Sequence, residues 1–255
     1  MSGIRRSRRR PARVAAGAAV LLALLAGCGG SSGTADAPAT TANRVLDHAP
    51  INSLGAQEAD WPYFFHPDAA LGLPGGTLDV VSLGYDPAAA PPRLGGSLTL
   101  GLGPAGDPAQ RACIEDGAGA DFAVFENAFR TLDAVDGPGT ENEVALVEVS
   151  ADAVTWYAFP TAIETAMPAV DPERYHGFAG VLPAADGGDP FDPWALIAAY
   201  PGVLDASFRA CYVRFTDGGT LYPDYGNTQT DLWASGADID AVVVTHAVAA
   251  PGLAP

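Results

Sequence analysis

The feature that most constrains the fold is a series of short segments in which apolar and polar side chains alternate between clusters of glycine, proline and aspartate. A period of two places successive side chains on opposite faces of a β-strand. In residues 143–150, Ala145, Val147 and Val149 share one face and Glu148 lies on the wetter one. Strands are predicted at residues 78–83, 96–102, 121–127, 143–150, 154–159, 210–216 and 239–246.

Helix-forming patterns are scarce. The chain has 30 glycines and 22 prolines, which suit many turns. One short helix is predicted after Asp192, because this aspartate can cap the N-terminus and Pro193 suits the first helical position. Many antiparallel strands with one or two short helices predict an all-β fold, a jelly-roll-like antiparallel β-sandwich.

The N-terminus has the organisation of an exported lipoprotein. Six arginines and no acid precede an apolar run at 14–26. This run is too short to span a membrane comfortably and is typical of a signal peptide. The run ends in Leu25-Ala26-Gly27-Cys28, which resembles the lipobox of bacterial lipoproteins. In that family the cysteine is diacylated and becomes the mature N-terminus. We therefore predict lipidation of Cys28 and an extracytoplasmic domain anchored to the cell membrane or the outer membrane.

Composition divides the chain into four parts. Residues 1–28 are the predicted signal peptide, and residues 29–42, rich in glycine, serine, alanine and threonine, are predicted to be a flexible tether. Residues 43–249 have the size and pattern of one β-sandwich domain, and residues 250–255 are a C-terminal tail.

The charge of the chain excludes one class of partner. The chain has no lysine, and the seven arginines after Cys28 face 30 acids, so that part has a formal net charge of −23. Such a surface repels phosphate backbones, so we predict no nucleic-acid binding. Solubility in a salty environment and binding of divalent cations by clustered carboxylates both explain this excess.

Two cysteines remain after Cys28. Cys113 precedes one predicted strand and Cys211 lies within another, in an exported setting that permits disulfides. We predict a Cys113–Cys211 disulfide, with two inert buried thiols as the alternative.

Four loops concentrate oxygen-bearing side chains among glycines, the pattern that suits calcium. We predict structural calcium, with turn chemistry as the alternative at each loop. Histidine and cysteine spacing does not indicate zinc. The candidate ligands are Asp121, Glu126, Asn127, Asp189, Asp192, Asp238 and Asp240.

The segment GADFAVFENAF (119–129) places three of these residues in one predicted strand. We predict that Asp121, Glu126 and Asn127 meet the other acidic loops at one rim of the sandwich, where these loops carry Asp189, Asp192, Asp238 and Asp240. The alternative is that Asp121 and Asn127 simply bond neighbouring backbone.

Patterns typical of catalysis are missing. The sequence has no nucleophile elbow, P-loop or dinucleotide-binding fingerprint, although two facing carboxylates would be enough for a glycosidase. Tyr222 and Tyr225, beside glycine and aspartate, are candidate sugar-stacking side chains.

A series of short motifs resembles a group of bacterial surface or secreted lipoproteins. Its core is the D-F-x-V-F-x-N-A-F pattern at 121–129, and the resemblance covers residues 52–244. The other motifs, in the same order as in the group, are at 81–84, 95–100, 147–150, 155–156, 177–180, 188–192, 213–215 and 238–242. The chain departs from the group by an insertion at 86–92 and by Pro-Trp-Ala-Leu after Asp192.

The resemblance implies a jelly-roll, adhesin-like or glycan-binding module without known catalytic residues. We therefore predict a lipid-anchored module that binds a glycan or extracellular polymer and is supported by calcium. A carboxylate-dependent polysaccharide or cell-wall hydrolase and a structural envelope lipoprotein remain the alternatives.

Overall fold

The computed structural model describes residues 39–51, 65–75, 79–131, 139–168, 171–222 and 236–250, all within the unit Ala37–Pro255. The described residues contain far more strand than helix, and their antiparallel sheets confirm the predicted all-β sandwich. The strands are β1 (Thr40–Ala49), β2 (Val81–Ser82), β3 (Ser97–Pro104), β4 (Ala112–Glu115), β5 (Phe122–Glu126), β6 (Phe129–Thr131), β7 (Gly139–Glu141), β8 (Ala145–Ser150), β9 (Tyr157–Ala158), β10 (Ala162–Ile163), β11 (Tyr175–His176), β12 (Phe178–Ala179), β13 (Asp189–Phe191), β14 (Arg209–Ala210), β15 (Tyr212–Asp217), β16 (Asp238–Val244) and β17 (Ala247–Ala249).

Helical structure is limited to short pieces. One α-helix, α1 (Pro193–Ala199), occurs in the described part of the chain, together with 3₁₀ turns at Pro67–Ala70, Pro172–Arg174 and Ala184–Asp186. The side chain of Asp192 accepts a hydrogen bond from Trp194 N and caps α1, as predicted.

The main sheet runs in the order β12-β8-β15-β3-β1-β16-β5-β13, with β2 beside β16 and β9 beside β8. It curls into a half-barrel, and its concave side carries the core. The burial of β15 alternates along the strand, with Val213 and Phe215 inside and Tyr212 and Arg214 only partly covered. This is the period-two pattern that the sequence predicts.

An aromatic group lies under β5 and β13. The rings of Phe122 and Phe191 stack with their centroids 5.1 Å apart, and Phe159 meets Phe191 edge-on at 4.9 Å. Full burial of a side chain of this size contributes about 1.5–3 kcal/mol. These three rings therefore bind the edge of the main sheet to the segment between β9 and β10.

The strand β1 corrects the predicted domain boundary. It begins at Thr40, inside the segment predicted as a tether, and Thr41 and Ala42 are fully buried between β3 and β16. The domain start predicted at residue 43 is therefore too late. The segment does not look like a strand because its apolar residues do not alternate regularly.

The disulfide is confirmed. Cys113 in β4 bonds Cys211, which lies between β14 and β15, with the two Cα atoms 4.0 Å apart and a sequence separation of 98. Since β4 belongs to a three-stranded sheet ordered β14-β4-β17, the bond ties that sheet to the start of β15 in the main sheet.

The two edges of the main sheet meet at a seam. β12 and β13 are the outermost strands, yet the Asp189 carboxylate of β13 accepts hydrogen bonds from Gly180 N (2.7 Å), Val181 N (3.1 Å) and Leu182 N (2.9 Å), directly after β12. Gly180 has φ +81°, and a Cβ atom there would strike the carbonyl oxygen of Glu143. The Asp189 carboxylate and the glycine required at position 180 therefore join the two edges of the main sheet.

Candidate functional site

Strand β5 carries acids at both ends, and the ends are far apart. Asp121 precedes the strand and Glu126 closes it, so at a rise of about 3.3 Å per residue their Cα atoms lie roughly 16 Å apart. Phe122 pairs with Val244 of β16, whereas Glu126 pairs with Ile239 at the opposite end of β16. The prediction that these acids meet at one rim is therefore wrong.

The end of β5 near the seam holds four buried acids, which we call the seam carboxyls: Glu126, Asp189, Asp217 and Asp238. None is more than 4% exposed. They come from four strands, β5, β13, β15 and β16. The sequence predicts three of them but not Asp217, which reads as part of an ordinary turn in the segment TDGG.

Backbone N–H groups occupy most oxygen atoms of the seam carboxyls. Asp217 accepts hydrogen bonds from Gly219 N and Ala237 N, both at 2.6 Å, and Glu126 Oε1 accepts one from Asp238 N at 3.0 Å. Two buried oxygens, Glu126 Oε2 and Asp238 Oδ1, have no hydrogen-bond partner among the described residues. These acids fix the loops that they contact, which is a structural role.

Burial also changes the acidity of the seam carboxyls. It raises the pKa of Asp189, Asp217 and Asp238 to about 7 each, and the charge of Asp238 adds to the pKa rise of Asp217. Burial raises the pKa of Glu126 well above its usual value, with the neighbouring Asp238 and Asp189 contributing in the same direction. The seam therefore retains protons at neutral pH.

At the other end of β5 lie three acids, which we call the rim acids: Asp116, Asp121 and Asp192. One potential ligand atom from each lies within 4.8 Å of those of the other two. Asp116 follows β4, Asp121 precedes β5 and Asp192 caps α1 directly after β13. The register explains this meeting, because Phe191 of β13 pairs with Phe122 of β5.

Asp121 is held firmly by its surroundings. Its Oδ1 accepts hydrogen bonds from His246 Nδ1 at 2.6 Å and Gly117 N at 2.8 Å. Its Oδ2 is buried and has no hydrogen-bond partner among the described residues. Burial raises the pKa of Asp121, and the bonds from His246 and Gly117 oppose this rise.

Asn127 and Asp240 each make a hydrogen bond with a backbone group. Asn127 N donates to the carbonyl oxygen of Asp238 at 3.2 Å, and Asp240 Oδ1 accepts from Gly75 N at 2.9 Å. Asp116 belongs to the rim acids and is not among the ligands predicted from the sequence. Its position directly before a glycine-rich turn that leads to Asp121 is the sequence pattern that indicates it.

A surface groove of about 290 Å³ lies between the turn after β8 and the segment after α1. Tyr157 and Phe208 line it, with their rings edge-on and 5.5 Å apart. Asp152 and Asp205 lie on its two sides. The sequence does not predict these four residues as a site. Each of the two aspartates occurs in an ordinary turn sequence.

Both groove acids are ionised at neutral pH. Backbone hydrogen bonds, first from Thr155 and then from Val154, lower the pKa of Asp152, and the hydroxyl and backbone N–H of Ser207 lower the pKa of Asp205. All of these bonds are made to Oδ1 of each aspartate. The Oδ2 atoms remain available as acceptors.

Tyr222, a predicted ligand-binding residue, is half-buried and meets Phe178 edge-on at 5.2 Å. It packs against a small hydrophobic cluster with Val144, Tyr175 and Val181. Its predicted partner Tyr225 and the predicted lipidation site Cys28 lie outside the described residues.

A second groove, of about 300 Å³, lies over the seam. Asp189 contributes to its lining together with Glu173 and His176.

Within the described ranges, no helix is long and apolar enough to cross a membrane. No known protein family and no curated protein sequence matches this chain.

Proposed function

We propose that this protein is a lipid-anchored extracytoplasmic binding module, and that the groove between Asp152 and Asp205 binds a glycan or another hydroxyl-rich extracellular polymer. The observation that carries this proposal is the combination of aromatic rings and two ionised carboxylates in one open groove. The anchor is the lipid on Cys28 that the lipobox-like segment indicates.

The groove supplies both kinds of contact that sugar recognition uses. The apolar faces of pyranose rings pack on aromatic side chains, here Tyr157 and Phe208. Sugar hydroxyls donate to carboxylate oxygens, and the Oδ2 atoms of Asp152 and Asp205 take no part in the turns that orient these residues. Because the turns fix both side chains in advance, little side-chain entropy is lost on binding.

The acidity of the groove favours binding over hydrolysis. A glycosidase needs one carboxyl that retains its proton to protonate the leaving group. The pKa values of Asp152 and Asp205 are both lowered by hydrogen bonds, so neither holds a proton at neutral pH. This pair suits hydrogen-bond acceptance and does not suit acid catalysis.

The second groove supports the hydrolase alternative. Asp189, whose pKa burial raises to about 7, lines that groove and has the acidity of a general acid. Its two oxygens already accept three backbone hydrogen bonds, which favours a structural role. Because its acidity favours catalysis and its occupied oxygens oppose it, we rank a hydrolase acting at this groove as the second candidate.

A binding experiment separates these functions. Cell-wall and extracellular polysaccharides would be tested by affinity electrophoresis and calorimetry with the wild type and with an Asp152→Asn, Asp205→Asn double variant. Asparagine keeps a turn-forming carbonyl but removes the charge, so we expect at least about tenfold weaker binding. Asp107→Asn is the matched control, because Asp107 also accepts backbone N–H groups in an exposed turn, outside the lining of the groove.

Unchanged affinity in the double variant would overturn the assignment of this groove. Release of reducing sugar by the wild type, lost in Asp189→Asn, would favour the hydrolase. If the wild type neither binds nor hydrolyses any polymer tested, the structural envelope protein becomes the favoured function.

A further inference from the structure

We propose that Asp116, Asp121 and Asp192 form a calcium site at the rim end of β5. The proposal goes beyond polymer binding and does not rest on it. It also differs from the calcium site predicted from the sequence, because it includes Asp116 and excludes the seam carboxyls.

The spacing of the rim acids suits a shared ion. Calcium binds oxygen ligands at about 2.4 Å, so two oxygens on one ion can be no more than about 4.8 Å apart. One ligand atom from each of the three acids lies within this limit of the others. Magnesium, with bonds of about 2.05 Å, requires ligands within about 4.1 Å and therefore a tighter approach.

An independent observation points to a ligand at the same place. Asp121 is fully buried, and its Oδ2 has no hydrogen-bond partner among the described residues. Its Oδ1 is already fixed by His246 Nδ1 and Gly117 N. A buried carboxylate oxygen without a donor costs free energy, and a cation among the rim acids satisfies it.

The other two acids also have capacity for a ligand. Asp192 uses Oδ1 to cap α1 through Trp194 N, at 2.7 Å, and its Oδ2 has no hydrogen-bond partner among the described residues. Among the described residues, the carboxylate of Asp116 has no hydrogen-bond or ion-pair partner. The arginines in the described ranges that form ion pairs do so with Asp86, Glu115 and Glu148, and not with a rim acid.

The chemistry of the ligands selects a hard cation. All three are carboxylates, both cysteines of the domain are in a disulfide, and the Nδ1 atom of His246 is engaged by Asp121. Half-buried Asp116 and Asp192 leave room for water to complete six to eight ligands. Calcium, which accepts several carboxylates at flexible geometry, therefore fits better than zinc, and magnesium usually takes only one or two carboxylates.

The seam carboxyls do not form an equivalent site. They contain unpartnered oxygens too, but among the described residues the rim acids are the one group in which three potential ligand atoms gather within 4.8 Å. Backbone N–H groups also surround Asp189 and Asp217, and these repel a cation.

Calcium titration of the chelator-treated protein by calorimetry tests the proposal. We expect one saturable site with a dissociation constant of about 10⁻⁴–10⁻³ M, the range of extracellular calcium modules, and weaker binding of magnesium. Asp116→Asn should bind at least about tenfold more weakly, because it removes one charged ligand. Asp47→Asn, which removes the same charge from an exposed site on β1, should bind like the wild type.

Asp116→Asn should fold, since the carboxylate of Asp116 has no hydrogen-bond partner among the described residues. If circular dichroism shows that it does not, Asp192→Asn replaces it as the test, because asparagine also caps helices. Absence of binding by the wild type up to about 10 mM calcium would overturn the proposal. Equal affinity of the folded variant and the wild type would also overturn it.

Discussion

The two ends of β5 carry the same kind of side chain in opposite circumstances. At the seam end, Glu126 lies among three other buried acids, and burial raises all four pKa values. At the rim end, Asp121 lies beside two half-buried acids that face an open surface. The difference teaches that the number of acids in a cluster does not decide its role; the neighbouring donors and the access of water do.

The curl of the main sheet creates this difference. It brings β12 and β13 together, so that backbone N–H groups of one edge enclose the carboxylate of the other. The rim lies where β4 and β13 end and β5 begins, without such closure. Protons satisfy the first group of acids, and a metal ion is proposed for the second.

The largest expected effect comes from breaking the disulfide of β4, the strand that leads to the rim acid Asp116. Replacement of both Cys113 and Cys211 by serine should lower the free energy of unfolding by about 4–5 kcal/mol, because the bond closes a loop with 98 residues of separation. Urea unfolding measures this loss, and reduction of the wild type should reproduce it. A loss below about 1 kcal/mol would show that the sheets hold β4 in place without the bond.

The next largest effect should come from breaking the seam. Asp189→Ala removes the acceptor of three backbone N–H groups, and we expect a loss of about 3–5 kcal/mol in urea unfolding. Asp205→Ala is the control, because this exposed aspartate also accepts a backbone N–H, and its loss should stay below about 1 kcal/mol. Similar losses in the two variants would mean that the seam is not specially dependent on its carboxylate.

A smaller effect should appear in the dependence of stability on pH. The pKa values of Asp189, Asp217 and Asp238 rise from 3.8 to about 7 on folding, so the folded protein binds more protons than the unfolded chain between these values. The stabilisation that these three protonated carboxyls contribute is complete below about pH 3.8 and is lost as the pH rises through about 7. The Tm should therefore be at least about 3 °C higher at about pH 5 than at about pH 8.

Glu126→Gln sharpens this prediction. Glutamine imitates the protonated glutamate, whose pKa burial raises well above its usual value, so the variant should show a smaller difference in Tm between the two pH values. Asp47→Asn, an exposed change of the same charge, should keep the wild-type difference. A Tm that rises from pH about 5 to pH about 8 in the wild type would contradict the proposed protonation of the seam.

The sequence predicts the strands whose apolar residues alternate, because alternation is a local pattern, and it predicts the disulfide because two cysteines remain after Cys28. Alternation in β8 and β15 follows directly from burial on one face, and Asp192 and Pro193 mark the start of α1. β1 was not predicted as a strand, because its polar residues are satisfied by tertiary contacts: the Asn43 amide donates to the carbonyl oxygens of Asp107 and Gln110.

The arrangement of the acids depends on register, which the sequence does not show. Asp121 and Glu126 are near each other in sequence, but an extended strand separates them, and only the pairing of β5 with β13 and β16 decides their neighbours. Asp116 and Asp217 were missed because aspartate beside glycine is also ordinary turn chemistry. Their roles arise from strands distant in sequence.

Carbon-13 NMR of the side-chain carboxyl groups, titrated from about pH 4 to about pH 9 with and without calcium, tests the contrast between the two ends most directly. We predict that Asp189, Asp217 and Asp238 titrate near pH 7 and do not respond to calcium. The resonances of Asp116, Asp121 and Asp192 should move on addition of calcium. Titration of the seam carboxyls near their usual pKa of about 4, or a calcium response at the seam instead of the rim, would contradict this account.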